Sequence, residues 1–95
     1  MNEGKARERA ARGERAASLL RSEILQEAFT YLDNQFIEAW RQTAVNDTEN
    51  RERLYNLCQA LQSVRGYIEN VVTDGKLAQA TLDELQFRAK NEKRK

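Results

Sequence analysis

Residues 71–85 read VVTDGKLAQATLDEL. Whether this stretch binds a metal or marks where one helix stops and another begins decides how the last third of the chain is read. Asp74-Gly75 has the composition of a helix end, with Gly75 as a left-handed cap. Thr81 and Glu84 have the T-x-x-E spacing of a capping box, with Ala80 and Leu85 placed as a staple. Read locally, a helix ends at about residue 74 and a short one runs over about 82–92, docked through Leu77, Leu82 and Leu85. The same string has the outline of half a calcium loop. With Gly75 at the sixth position, Asn70, Val72, Asp74 and Thr81 fall at positions 1, 3, 5 and 12. Val72 offers no side-chain oxygen and Thr81 cannot be bidentate, so the residues exclude that site.

Upstream, Leu54, Leu57, Leu61, Val64, Ile68 and Val71 recur at spacings of 3, 4, 3, 4 and 3. This is one face of a helix, over about 48–74, with Cys58 and Val72 at its border. Gly66 lies inside it at a cost of ~1 kcal/mol relative to alanine, and close packing of another helix is the expected reason. Leu25, Phe29, Leu32, Phe36 and Ala39 recur at 4, 3, 4 and 3, predicting a helix over about 18–43. A second set, Leu20, Ile24, Ala28 and Tyr31, lies beside that stripe, and Ile37 and Trp40 extend it. The apolar arc is therefore wider than a two-stranded seam requires. Between the two helices, Asn46, Asp47 and Thr48 are turn and N-cap residues. Glu49 and Glu52 follow where the helix dipole favours negative charge. Two helices of matched length across a short loop predict an antiparallel hairpin, with Tyr55 approaching Trp40 at the loop end.

The whole chain has 95 residues, 40% apolar and 33% charged, with no proline and a net charge of +1. An all-α domain near the lower size limit for a self-sufficient core follows. Residues 1–21 hold six basic and three acidic residues, and residues 86–95 hold five basic and one acidic, so the body between them is acidic. Residues 1–15 lack large apolar side chains beyond Met1 and read as a basic, frayed or conditionally helical arm. Residues 16–87 form the helical domain and 88–95 a basic tail.

The residue inventory leaves little room for catalysis. There is no histidine and one cysteine, Cys58, so the commonest metal ligand and general base is missing and no intrachain disulfide can form. Cys58 sits beside Leu54, Leu57 and Leu61 with no base to activate it. Glycine-rich phosphate loops are absent. No catalytic residue, metal ligand or cofactor is expected, nor a membrane partner. The basic arm, with Arg7, Arg9, Arg12 and Arg15, is the candidate for phosphate contact. The stripe formed by Leu25, Phe29, Leu32, Phe36, Leu54, Leu57, Leu61, Val64, Ile68 and Val71 is the candidate core and oligomer contact. One hairpin gives each helix a single neighbour, so a homo-oligomer is expected, most simply a dimeric four-helix bundle.

Residues 19–85 carry EAW at the end of the first helix, DTENRERLY opening the second and GKL after it. In these features the chain resembles small helical proteins of tailed bacteriophages and prophages, of the kind encoded near structural or packaging genes. The resemblance implies a phage context, in the host cytoplasm or the virion, and a non-enzymatic assembly role with another phage or host protein as partner. It transfers no site residue. The alternative is a nucleic-acid-binding or packaging accessory that uses the basic ends. A third reading is an inhibitor of a host protein.

Overall fold

The computed structural model describes residues 2–93, and among these the chain is all-α, with three helices and no strand. Helix α1 spans Glu3–Leu20, α2 spans Glu23–Arg41 and α3 spans Thr48–Lys93. Met1 of the predicted arm and residues 94 and 95 of the predicted tail lie outside the described residues. Two compact units divide the chain, one from residues 1–19 and 68–95, the other from residues 20–67. The first part of α3 belongs to the second unit and the remainder to the first.

In the unit of residues 20–67, α2 and α3 form the predicted antiparallel hairpin. The predicted helix over 18–43 is interrupted, however. Ser22 is extended (φ −63°, ψ 122°) and caps α2, its Oγ accepting from the Leu25 N–H at 3.3 Å. Gln26 Nε2 donates to the Leu20 carbonyl at 2.9 Å, which satisfies an end that the break leaves open. The local signal was present in Ser22-Glu23, an N-cap followed by an acid in the first turn. It is masked in the sequence by an apolar stripe that crosses it. At the other end, Thr43 N–H and Oγ1 both donate to the Trp40 carbonyl, at 3.1 and 2.6 Å. The loop then turns as expected, and Asp47 caps α3 by accepting from the Asn50 N–H and Nδ2.

In the other unit, the residues expected to be a basic arm, frayed or conditionally helical, form α1. Asn2 starts it, its Oδ1 accepting from the Lys5 N–H at 2.8 Å, and Arg7 pairs with Glu3 one turn back at 2.6 Å. What orders this segment is packing by small residues. Ala6, Ala10, Gly13 and Ala17 recur at 4, 3 and 4, and all four are buried or half-buried. Val71, Gly75, Ala78 and Leu82 on α3 recur at the same spacings and are also buried or half-buried. A seam of alanine and glycine brings two helix backbones close together without needing large side chains.

The helix stop expected at Asp74-Gly75 is therefore absent. Neither Gly75 nor any other described residue has positive φ, and α3 continues to Lys93. Gly75 serves a different purpose. A Cβ built on it would lie 2.6 Å from the Gly13 Cα and 3.2 Å from the Arg9 carbonyl oxygen. A Cβ on Gly13 would meet the Gly75 Cα at the same distance. The two glycines are the point where α1 and α3 touch backbone to backbone. Asp74, one position earlier, receives Arg9 in a two-pronged ion pair, with Nε donating to Oδ2 at 2.8 Å and the second guanidinium nitrogen donating to Oδ1. Thr81 is not a cap either, since its Oγ1 donates to the Leu77 carbonyl one turn back at 3.2 Å. The separate helix over 82–92 is simply the later part of α3. Gly66, in contrast, has nothing within 4 Å of its would-be Cβ, so the close packing expected there occurs at Gly75 instead.

Candidate interaction surface

The hairpin interface is built from one seam on each helix. Phe29 is buried, and Leu25 and Phe36 are half-buried on the same face of α2. Leu54, Cys58 and Leu61 are half-buried on α3. Halfway along, the seam turns polar. Arg65 pairs with Asp33 at 3.4 Å, Gln62 Nε2 donates to the same carboxylate at 3.4 Å, and the Arg65 guanidinium lies 4.7 Å from the Phe29 ring centroid. The sequence stripe assigned Leu32 and Val64 to this level. The helices are rotated so that Asp33 and Arg65 face inward beside Phe29, leaving Leu32 37% and Val64 54% exposed. A strict 4–3 count cannot distinguish neighbours one position apart on a wide apolar arc.

The loop end is closed by an aromatic clamp. The Arg51 guanidinium stacks over Trp40 at 4.2 Å and donates to Thr43 Oγ1 at 3.2 Å. Behind it, Ile37, Trp40, Arg41, Leu54, Tyr55 and Cys58 line an apolar groove of about 360 Å³ on one flank of the hairpin. This is where the sequence placed Tyr55 near Trp40. On the opposite flank a groove of about 290 Å³ is lined by Ala39, Thr43, Asn50, Arg53, Leu54 and Leu57. Ala39 and Leu57 therefore lie on the same side of the hairpin, with Tyr55 on the other.

Of the predicted stripe, Phe29 is buried, Leu25, Phe36, Leu54, Leu61, Ile68 and Val71 are half-buried, and Leu32, Leu57 and Val64 are exposed. Ile68 and Val71 belong to the unit that contains α1, so the stripe serves two packing partners rather than one. Among the described residues the buried apolar side chains are Ala6, Phe29, Ala78 and Leu82, two of them alanines. The fully enclosed core is thus very small.

The basic arm is changed by its helical packing. Arg7 is paired with Glu3, and Arg9 with Asp74. Arg12 and Arg15 lie on the same helix, around the buried Gly13. Among the described residues, no group of three or more cysteine and carboxylate side chains could hold a metal ion. The rejected calcium positions Asn70, Val72, Asp74 and Thr81 all lie within continuous helix. No described helix is long and apolar enough to cross a membrane. Comparison with protein-family models, with curated protein sequences and with solved structures gave no match.

Proposed function

We propose that this chain is a non-catalytic protein-interaction protein that works as a homo-oligomer, and that it serves as an assembly or morphogenesis component of a bacteriophage, in the host cytoplasm or in the particle. The phage setting rests on the sequence resemblance alone. The oligomer rests on exposed apolar side chains: Tyr31, Tyr55, Tyr67 and Phe87 are each at least 60% exposed. A small domain with so slight a core gains stability by burying such surface against another chain.

The alternative, nucleic-acid binding through the basic ends, is disfavoured by the arm's own ion pairs. Arg7 and Arg9 already contact carboxylates, and a phosphate would have to displace them. Two measurements separate the readings. Sedimentation equilibrium at low micromolar concentration is expected to give at least twice the chain mass of 11.0 kDa. A well-folded monomer would refute the oligomer. Binding to duplex DNA is expected to be absent. Affinity that falls steeply between about 50 and 200 mM salt and vanishes on removal of residues 1–15 would favour the accessory role instead.

A further inference from the structure

The break between α1 and α2 rests on one residue. Ser22 already has the φ of a helix, −63°, and departs only in ψ, which is 122° where a helix has about −42°. Two side-chain hydrogen bonds hold the break, from the Leu25 N–H to Ser22 Oγ and from Gln26 Nε2 to the Leu20 carbonyl. Leu20, Ile24, Ala28 and Tyr31 meanwhile keep helical spacing straight across it. Leu19 and Ile24 beside it are 48% and 73% exposed. The local sequence thus suits one continuous helix over residues 3–41 as well as a broken one. The two forms differ in where the small-residue seam points. At ~100° per residue, Ala6, Ala10, Gly13 and Ala17 would lie about 110° around a continuous helix from Leu25, Phe29 and Phe36. The broken form lets each of these faces meet α3. In the continuous form the α1 seam points aside, and the Gly75 seam of the same chain is left empty.

We propose that Ser22 is a hinge and that α1 is exchanged between two copies of the chain, each α1 lying on the α3 seam of the other. The exchange is separate from the exposed aromatic side chains and goes beyond the homo-oligomer reading. The occupant is a second copy because the complement of that seam is in the chain itself. A Cβ on either Gly13 or Gly75 would meet the other's Cα at 2.6 Å, so each glycine fits only opposite the other. Arg9 brings the guanidinium that Asp74 receives. Exchange reproduces both contacts unchanged, and its cost lies in the hinge and in bringing two chains together. At the hinge, two side-chain bonds give way to main-chain bonds for the groups that the break leaves without helical partners. Concentration therefore sets the balance between the two forms.

The test places cysteines across the α1–α3 contact in a Cys58→Ser background. Ala10 and Gln79 line one cleft of about 120 Å³ beside Gly13 and Gly75, so Ala10→Cys and Gln79→Cys lie within reach of a short bismaleimide. The two single variants are mixed in equal amounts, equilibrated at about 200 μM because exchange follows mass action, crosslinked and separated under denaturing conditions. A covalent dimer that forms in the mixture and in neither variant alone is expected. Its absence overturns the exchange and leaves the homo-oligomer reading to its own sedimentation test. A chain carrying both cysteines, crosslinked at about 1 μM, is expected to close on itself, which shows that α1 is packed. Ser22→Pro suits the φ of the broken form and blocks a continuous helix. It is expected to abolish the mixed dimer while the doubly substituted chain still closes on itself. Ser22→Ala removes the cap of the broken form, worth roughly fivefold at each of two hinges, and is expected to lower the concentration for half-maximal mixed dimer about 25-fold. A mixed dimer that persists with Ser22→Pro, or that Ser22→Ala leaves unmoved, overturns Ser22 as the hinge.

Discussion

Gly75→Ala and Gly66→Ala place the same methyl group in the same helix and are expected to move stability in opposite directions. Both gain the helix preference of alanine over glycine, about 1 kcal/mol. At Gly66 the new methyl meets nothing within 4 Å, so the gain is kept. At Gly75 the methyl carbon would lie 2.6 Å from the Gly13 Cα, where non-bonded carbons rest at about 3.5–4.0 Å. The obstacle is backbone on both sides, so no side chain can rotate away, and α1 must withdraw by about 1 Å. A gap of that size forfeits roughly a quarter to a half of the contact attraction along the seam of Ala6, Ala10, Ala17 and Ala78. Overpacking of this kind costs about 1–3 kcal/mol. Taking about 2–3 kcal/mol here, Gly75→Ala is expected to be about 1–2 kcal/mol less stable than the unsubstituted chain. Thermal unfolding followed by circular dichroism, at one fixed protein concentration because association shifts Tm, checks the pair. At about 4–8 °C per kcal/mol for a chain of this size, Gly66→Ala is expected to melt a few degrees higher and Gly75→Ala about 5–15 °C lower. Equal upward shifts of the two variants would show that α1 does not pack on Gly75.

Other consequences concern the caps and the polar joints. Ser22→Ala removes the acceptor for the Leu25 N–H and is expected to cost about 1 kcal/mol in urea unfolding; a stability unchanged within about 0.3 kcal/mol would argue that α2 needs no cap there. Arg9 and Asp74 are each about one-third exposed, so a double-mutant cycle with Arg9→Ala and Asp74→Ala is expected to give a coupling of about 0.5–1 kcal/mol despite the two-pronged geometry. Coupling near zero would mean that the small-residue seam holds α1 without help from this ion pair. Arg51→Ala removes the cation stacked over Trp40 and is expected to cost about 0.5–1 kcal/mol and to shift the emission of the single tryptophan. Unchanged emission would refute the clamp.

Much of the hairpin was legible in the sequence because its signals are local or periodic. Asp47 and Thr48 mark the start of α3, and the stripes of α2 and α3 place Phe29 and Leu61 on inward faces without reference to the rest of the chain. Alternatives at the level of single positions were not legible. Asp33 and Arg65 face the interface where Leu32 and Val64 were expected, since an arc of apolar residues permits a rotation of one position and the Phe29–Arg65 contact selects it. The packing of the candidate arm was not legible for a related reason: α1 packs through Ala6, Ala10, Gly13 and Ala17, whose 4–3–4 spacing is a signal carried by small residues and not by large apolar ones.

The sequence by itself determined that this chain is helical, where its loop lies and which two stretches form the hairpin. Only the tertiary structure decided what VVTDGKLAQATLDEL does. Asp-Gly followed by T-x-x-E satisfies the rules for a helix end and a new start, and it is equally compatible with uninterrupted helix. Local free energies on the two sides differ by only about 1 kcal/mol. The balance is set by Gly13 and Arg9, the latter 65 residues away from its partner Asp74. Gly13 needs a position without a side chain opposite it, and Arg9 needs a carboxylate beside that position. Asp74 and Gly75 supply both only while the helix continues.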